Sequence, residues 1–198
     1  MNGHIKGARI VVKVGGSLFD FPALKLLLNR FLDSLGSAQI AIFPGGGSFT
    51  EVVRQLDSCH VLGQETSHWL AVRSLSLAAH FLHQLLEPMG VIVSTLGECE
   101  TVWEEDRIGI IDPFPFARSD AANKDALPLS WEVTSDSLAL RLAQRWEASR
   151  LLLLKSARVP CGWPAISAPE FVDPWFERLL VEKGNRVAVS AINLREES

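Results

Sequence analysis

Short runs of continuous apolar residues alternate along the chain with longer stretches whose apolar positions recur every three or four residues. Ile10–Val14 (IVVKV), Gln39–Phe43 (QIAIF), Val91–Thr95, Leu151–Leu154 and Val187–Val189 read as strands buried on both faces. Phe21–Leu35, a stretch beginning Ser48–Leu56, Glu65–Leu86 and Thr134–Trp146 read as helices. Pro88 and Gly90 stop the longest of these. Between Gly97 and Ser130 the pattern is least regular, and a loop or hairpin excursion is expected there. Alternation of this kind predicts an α/β fold with a mainly parallel central sheet and helices on both faces. No linker or repeat divides the chain, so residues 1–198 are expected to form a single domain.

Composition narrows the function classes. Hydrophobic residues make up 47% of the chain and charged residues 21%, enough apolar content to exclude a disordered chain. Twenty-three acids against nineteen Lys and Arg leave a net charge of −4, which argues against nucleic acid as the main partner. No apolar run approaches a membrane span; the densest, Leu151–Leu154, ends at Lys155. No secretory signal is visible, and Cys59, Cys99 and Cys161 suit neither a disulfide framework nor a zinc knuckle. A cytoplasmic protein is expected. The wide apolar sector of Glu65–Leu86 exceeds what one sheet face covers, so a homo-oligomer is expected.

Three segments could carry chemistry. Lys13-Val14-Gly15-Gly16-Ser17 ends the first strand just before a helix. Glycines there let backbone N–H groups approach phosphate oxygens, and a lysine adds a mobile positive charge; a plain Gly-Gly turn is the alternative. Pro44-Gly45-Gly46-Gly47-Ser48 repeats the arrangement after the second strand, where three glycines are more than a turn needs. A side chain at Gly46 is expected to intrude on the phosphate space. Neither loop is a Walker A or a G-x-G-x-x-G fingerprint. In the third segment, Trp131–Ala139, Thr134 or Ser135 suits a helix N-cap and Asp136 its first turn. Asp136 is free to face the glycine turns as well. His60, His68, His80 and His83 lack companions that would complete a metal site. The acids Glu98, Glu100, Glu104, Glu105 and Asp106 read as a solvated loop, while Asp112, Asp120 or Asp125 could meet an amine on a substrate.

The three segments, in this order, resemble the amino acid kinase family (acetylglutamate, aspartate, carbamate and uridylate kinases). The resemblance implies a three-layer α/β/α sandwich, ATP as donor, Mg²⁺ as counterion and a small anionic acceptor. It implies that Lys13 neutralises the transferring phosphoryl group, with Gly15, Gly16 and Ser17 along its path and Thr134 and Ser135 beside the nucleotide phosphates. Gly45, Gly46 and Gly47 would hold the acceptor, and Asp136 would orient the lysines; no protein ligand for the metal is implied. Where relatives continue with a T-D-V-x-G-V-like segment and a long nucleotide-binding portion, this chain runs into Lys155-Ser156-Ala157-Arg158. Lys155 is expected to stand in for the family's second lysine. The short form, with S-W-E-V-T-S-D-S-L-A and Val172–Phe176 (VDPWF), resembles the small kinases of methanofuran biosynthesis. Those convert an aminomethyl-furanmethanol phosphate to its diphosphate. A kinase for another small carboxylate or phosphate monoester, or a catalytically silent nucleotide-binding sensor, are the alternatives. Parallel strands would bring Lys13 and Lys155 to one sheet edge, where an aspartate between them offsets their repulsion.

Overall fold

The computed structural model describes residues 7–165, 167–168, 170–182 and 185–196. Among these residues six strands form one sheet: β1 (Arg9–Val14), β2 (Gln39–Pro44), β3 (Gly90–Val93), β4 (Ile108–Ile111), β5 (Arg150–Lys155) and β6 (Ala188–Asn193). Their order is β3-β4-β2-β1-β5-β6, and every neighbouring pair is parallel. The chain therefore builds outward from β1 first on one side and later on the other. The C-terminal ends of β1, β2 and β5 meet at this switch point, where open α/β sheets bind ligands.

Side chains alternate across the strands, and each face owns a core. Val11, Ala41, Phe43, Leu151 and Leu153 face one; Ile10, Val12, Val14, Ile40, Ile42, Leu152 and Leu154 face the other. The first face is covered by α4 (Leu96–Glu104), α5 (Pro113–Asp120), α6 (Ser135–Arg145) and α7 (Pro174–Val181). The second is covered by α1 (Leu24–Ser34). The long helix α3 (Gln64–Leu86) serves both, with Val72 and Leu75 in the first core and Ala79, Leu82 and Leu86 in the second. Its wide apolar sector is largely used within the chain. By contrast α2 (Ser48–His60) buries only Val53.

The Gly97–Ser130 stretch departs from the expected excursion: it contains α4, the sheet strand β4 and α5. Gly109 obscures β4, because glycine weakens a strand pattern; a Cβ there would lie 2.3 Å from Cys99 Sγ on α4. Thr95 caps α4 by accepting the Glu98 N–H, and Asp112 caps α5 with Pro113 at its first position. The acids expected in a solvated loop thus fall on and just after a helix, and Glu100 pairs with Arg9. Among the described residues no helix is long and apolar enough to cross a membrane.

Candidate active site

Strand parity places the lysines. Lys13 shares its face with Val11, and Lys155 shares its face with Leu153, which is the register partner of Lys13. Both ammonium groups therefore leave the sheet on the α6 side, at its C-terminal edge. There Asp136 lies between them: Lys13 Nζ is 2.6 Å from Oδ1 and Lys155 Nζ is 2.6 Å from Oδ2. Lys13 and Asp136 are buried, with 4% and 5% exposure. Burial is the largest single influence on Asp136 and opposes its charge, but the two lysines together hold the carboxyl below the usual carboxylate range. Burial first, and repulsion from Lys13 second, push the Lys155 ammonium below the ordinary lysine value. The three side chains together carry a single positive charge toward the switch point, with the Asp173 carboxylate acting on Lys155 from behind. That is the electrostatics an incoming phosphoryl group needs.

The glycine turns leave the sheet side by side. The Gly15 N–H donates to Leu154 O and the Gly45 N–H to Val14 O, both at 2.8 Å, which continues the ladder past the strand ends. A Cβ on Gly16 would lie 2.0 Å from Gly47 N, and one on Gly45 2.4 Å from Gly16 N. Gly47 adopts φ +53, a backbone conformation that side chains disfavour, as it caps α2. The two turns therefore need glycine partly because their backbones pack on each other. A Cβ on Gly46 would meet Thr50 Oγ1 at 1.8 Å, so a side chain there collides first with a protein group on the cavity wall. Gly16→Ala is expected to cost about 2 kcal/mol or more by overpacking, read as a lower melting temperature. Ser17 is held by a 2.7 Å contact between its hydroxyl and that of Ser156, and its carbonyl accepts from Arg195 at 2.9 Å.

Helix α6 starts where it does because Thr134 Oγ1 accepts the Asp136 N–H at 3.3 Å. The Thr134 hydroxyl donates at 2.6 Å to Asp173, a residue of the VDPWF motif to which the sequence pattern assigns no role. Asp173 is 8% exposed and accepts six hydrogen bonds, from the N–H and hydroxyl of both Thr134 and Ser137 and from the N–H groups of Trp175 and Phe176. One carboxylate caps α6 and α7 together. The Asp-Pro start of α7, like that of α5, was the available signal. Lys155 also donates to Phe171 O at 2.9 Å, so the 171–176 segment braces the lysine cluster. Asp173→Asn is expected to destabilise the fold by about 2–4 kcal/mol, measured by urea denaturation, since buried donors lose a charged acceptor.

Beside these turns lies a cavity of about 190 Å³, lined by Gly46 and Gly47, by α2, by α3 and by Thr134, Ser135 and Trp131. Trp131 is fixed by its Nε1–H donating to Asp57 at 2.8 Å, and Arg54 lies over its ring at 4.6 Å. His68 reaches the cavity wall with Nδ1 3.2 Å from Ser130 O, and burial pushes its pKa down. The other candidates are not part of this site. Asp120 and Asp125 are bound by Arg141 and Arg145, and Asp112 caps α5. Among the described residues no group of three or more His, Cys, Asp and Glu could hold a metal ion.

The (5-(aminomethyl)furan-3-yl)methyl phosphate kinase of Methanocaldococcus jannaschii is 31% identical over 147 residues, covering 72% of this chain and 63% of that protein. The chain thus spans less than two thirds of that relative's length. The UMP kinase of Ureaplasma parvum superposes with a TM-score of 0.65 at 14% identity, over 96% of this chain and 91% of that one. For the UMP kinase of Bacillus anthracis the values are 0.65, 12%, 96% and 88%. The uridylate kinase of Archaeoglobus fulgidus gives 0.55 at 14% identity, over 76% and 63%. These structural likenesses concern the fold. The amino acid kinase family profile matches residues 8–158, a span that holds both glycine turns and the Lys13–Asp136–Lys155 cluster, and the chain belongs to the amino acid kinase family.

Proposed function

We propose that the protein is a small-molecule kinase that moves the terminal phosphoryl group of ATP onto an anionic acceptor. The acceptor we favour is (5-(aminomethyl)furan-3-yl)methyl phosphate, which becomes the diphosphate. The observation that carries this reading is the net-cationic Lys13–Asp136–Lys155 cluster at the sheet's switch point, beside two glycine turns. The similarity to the Methanocaldococcus jannaschii kinase supports the choice of acceptor.

The chemistry needs positioning and charge neutralisation more than a base. An oxygen of the acceptor's phosphate forms a bond to the terminal phosphorus, the bond from that phosphorus to the bridging oxygen breaks, and ADP leaves. A phosphate monoester is already ionised near neutral pH, so no side chain has to remove a proton. Lys13 and Lys155 face the charge that gathers on the transferring group, and Asp136 keeps their spacing. Gly46 and Gly47 hold the acceptor in the cavity, and Thr134 and Ser135, on its wall at the start of α6, face the nucleotide phosphates that meet it there. Asp136 is committed to the two lysines, so Mg²⁺ would be held by the nucleotide's phosphates. It supplies charge neutralisation there. A hollow lined by Pro160, Ala168, Glu170 and Phe171, next to the carbonyl that binds Lys155, is the place offered to the nucleotide.

Phosphorus NMR of the protein with ATP, Mg²⁺ and the furan phosphate tests this. ADP and a new diphosphate are expected. ATP binding without ADP formation on this or any other small phosphate or carboxylate would identify a silent nucleotide-binding subunit instead.

Self-association belongs to the same reading. Val52 and Leu56 of α2 and Leu77 of α3 are each about half exposed, apolar surface that a second copy would cover. Equilibrium sedimentation at micromolar concentration is expected to show an oligomer. Only the 21.8 kDa monomer would refute it.

A further inference from the structure

The cavity beside the glycine turns contains one feature that an anion site does not want. Gly46, Gly47, the start of α2, the start of α6 and Arg54 all present positive potential to it. Among the described residues, Glu51, in the first turn of α2, is the only carboxylate on its wall. A carboxylate there repels a phosphate-bearing acceptor unless a cation answers it. Arg54 answers weakly: its Nε is 3.6 Å from Glu51 Oε2, beyond the 2.7–2.9 Å of a charge-assisted hydrogen bond, and its guanidinium lies over Trp131. The α2 dipole favours an acid in this first turn, and the cavity gives that acid something to meet. Asp112, Asp120 and Asp125, the carboxylates that the sequence offered for an amine, already have protein partners. The cavity lining also includes the apolar side chains of Val72, Leu75, Val133 and Leu138.

We propose that Glu51 is a specificity-determining residue that binds a positively charged amine on the acceptor. In the acceptor of the kinase reading, a small ring with a phosphate at one end and an ammonium at the other, Glu51 takes the ammonium. The inference rests on the kinase reading above and assigns the part of that site which reads the end remote from the chemistry. The ring lies along the apolar lining, the phosphate at the glycine turns and the ammonium at Glu51 and solvent. Because Glu51 is half exposed, the contact is worth about tenfold in selectivity, near the lower end for charged hydrogen bonds.

The test compares two acceptors, the aminomethyl furan phosphate and the methyl furan phosphate that lacks the nitrogen. The wild-type protein is expected to favour the amine in kcat/KM by about tenfold or more, and Glu51→Gln to collapse that ratio through KM while kcat on the amine holds better. Equal kcat/KM for both acceptors in the wild type, or a ratio kept by Glu51→Gln, would overturn the assignment. If neither acceptor is turned over, the kinase reading fails separately, and calorimetric binding of the two compounds decides the inference. Tighter binding of the amine that Glu51→Gln abolishes supports it. Equal binding, or none, overturns it. Circular dichroism confirms that the variant is folded, as expected for an exposed helical position.

Discussion

Lys13→Met is expected to lower kcat by about 10²–10³-fold, the usual effect of deleting one preorganised electrostatic contact to a transition state. The KM for the acceptor should move much less, because the lysine's interaction grows as charge gathers on the transferring group. The fold should survive. Met matches the lysine's length, its neighbour Val11 is apolar, and Asp136 keeps Lys155 as a partner at 2.6 Å. Steady-state kinetics beside a thermal melt separate the two effects. Full activity in this variant would remove the lysine cluster from the mechanism. Lys155→Met should lower kcat too, with a larger loss of stability, because its bond to Phe171 O also disappears.

Asp136→Asn should affect stability and catalysis together. It leaves two buried ammonium groups facing each other across a neutral amide, and breaking a buried pair by removing one partner costs about 3–5 kcal/mol. Its kcat should fall as well, since the lysines lose the group that spaces them. The combined loss in a Lys13→Met/Asp136→Asn protein should be smaller than the two single losses multiplied, because removing Lys13 also removes the repulsion that Asp136 masks. The pH dependence has a definite sign. The native pKa of Asp136 lies below its unfolded value, so its stabilisation is complete above the ordinary carboxylate range and disappears as pH falls through the native value. Wild-type unfolding free energy should therefore drop more steeply below about pH 4 than that of Asp136→Asn, as urea titrations across pH would show. At alkaline pH the sign reverses. Lys155 is already lowered by burial and by Lys13, and losing the carboxylate lowers it further, so residual activity should fade at a lower pH than in the wild type.

Some structural features were visible only as punctuation. Asp112-Pro113 and Asp173-Pro174 both start helices, with the aspartate accepting the first N–H groups and proline at the first position. Thr95-Leu96-Gly97-Glu98 has the spacing of a capping box. Asp112-Pro113 lies in the stretch that reads as irregular, where the elements are short: α5 has eight residues and β4 has four. Fewer than three helical turns carry too few apolar positions for a period to stand out.

What the sequence determined by itself is local: the alternation of strands and helices, two glycine turns at strand ends, a lysine at the end of two strands, and an acid in the first turn of α6. These follow from side-chain period and turn chemistry, which act over a few residues. Strand parity even puts Lys13 and Lys155 on one face, provided their strands are neighbours. Only the tertiary structure decided that they are, since β1 and β5 are separated by most of the chain and pair through long-range packing. The same packing put Asp136 between the ammonium groups, set Asp173 under two helices, turned Gly46 toward Thr50 and left Glu51 on the cavity wall. None of these has a local cause, because each depends on which distant backbone arrives within a few ångströms.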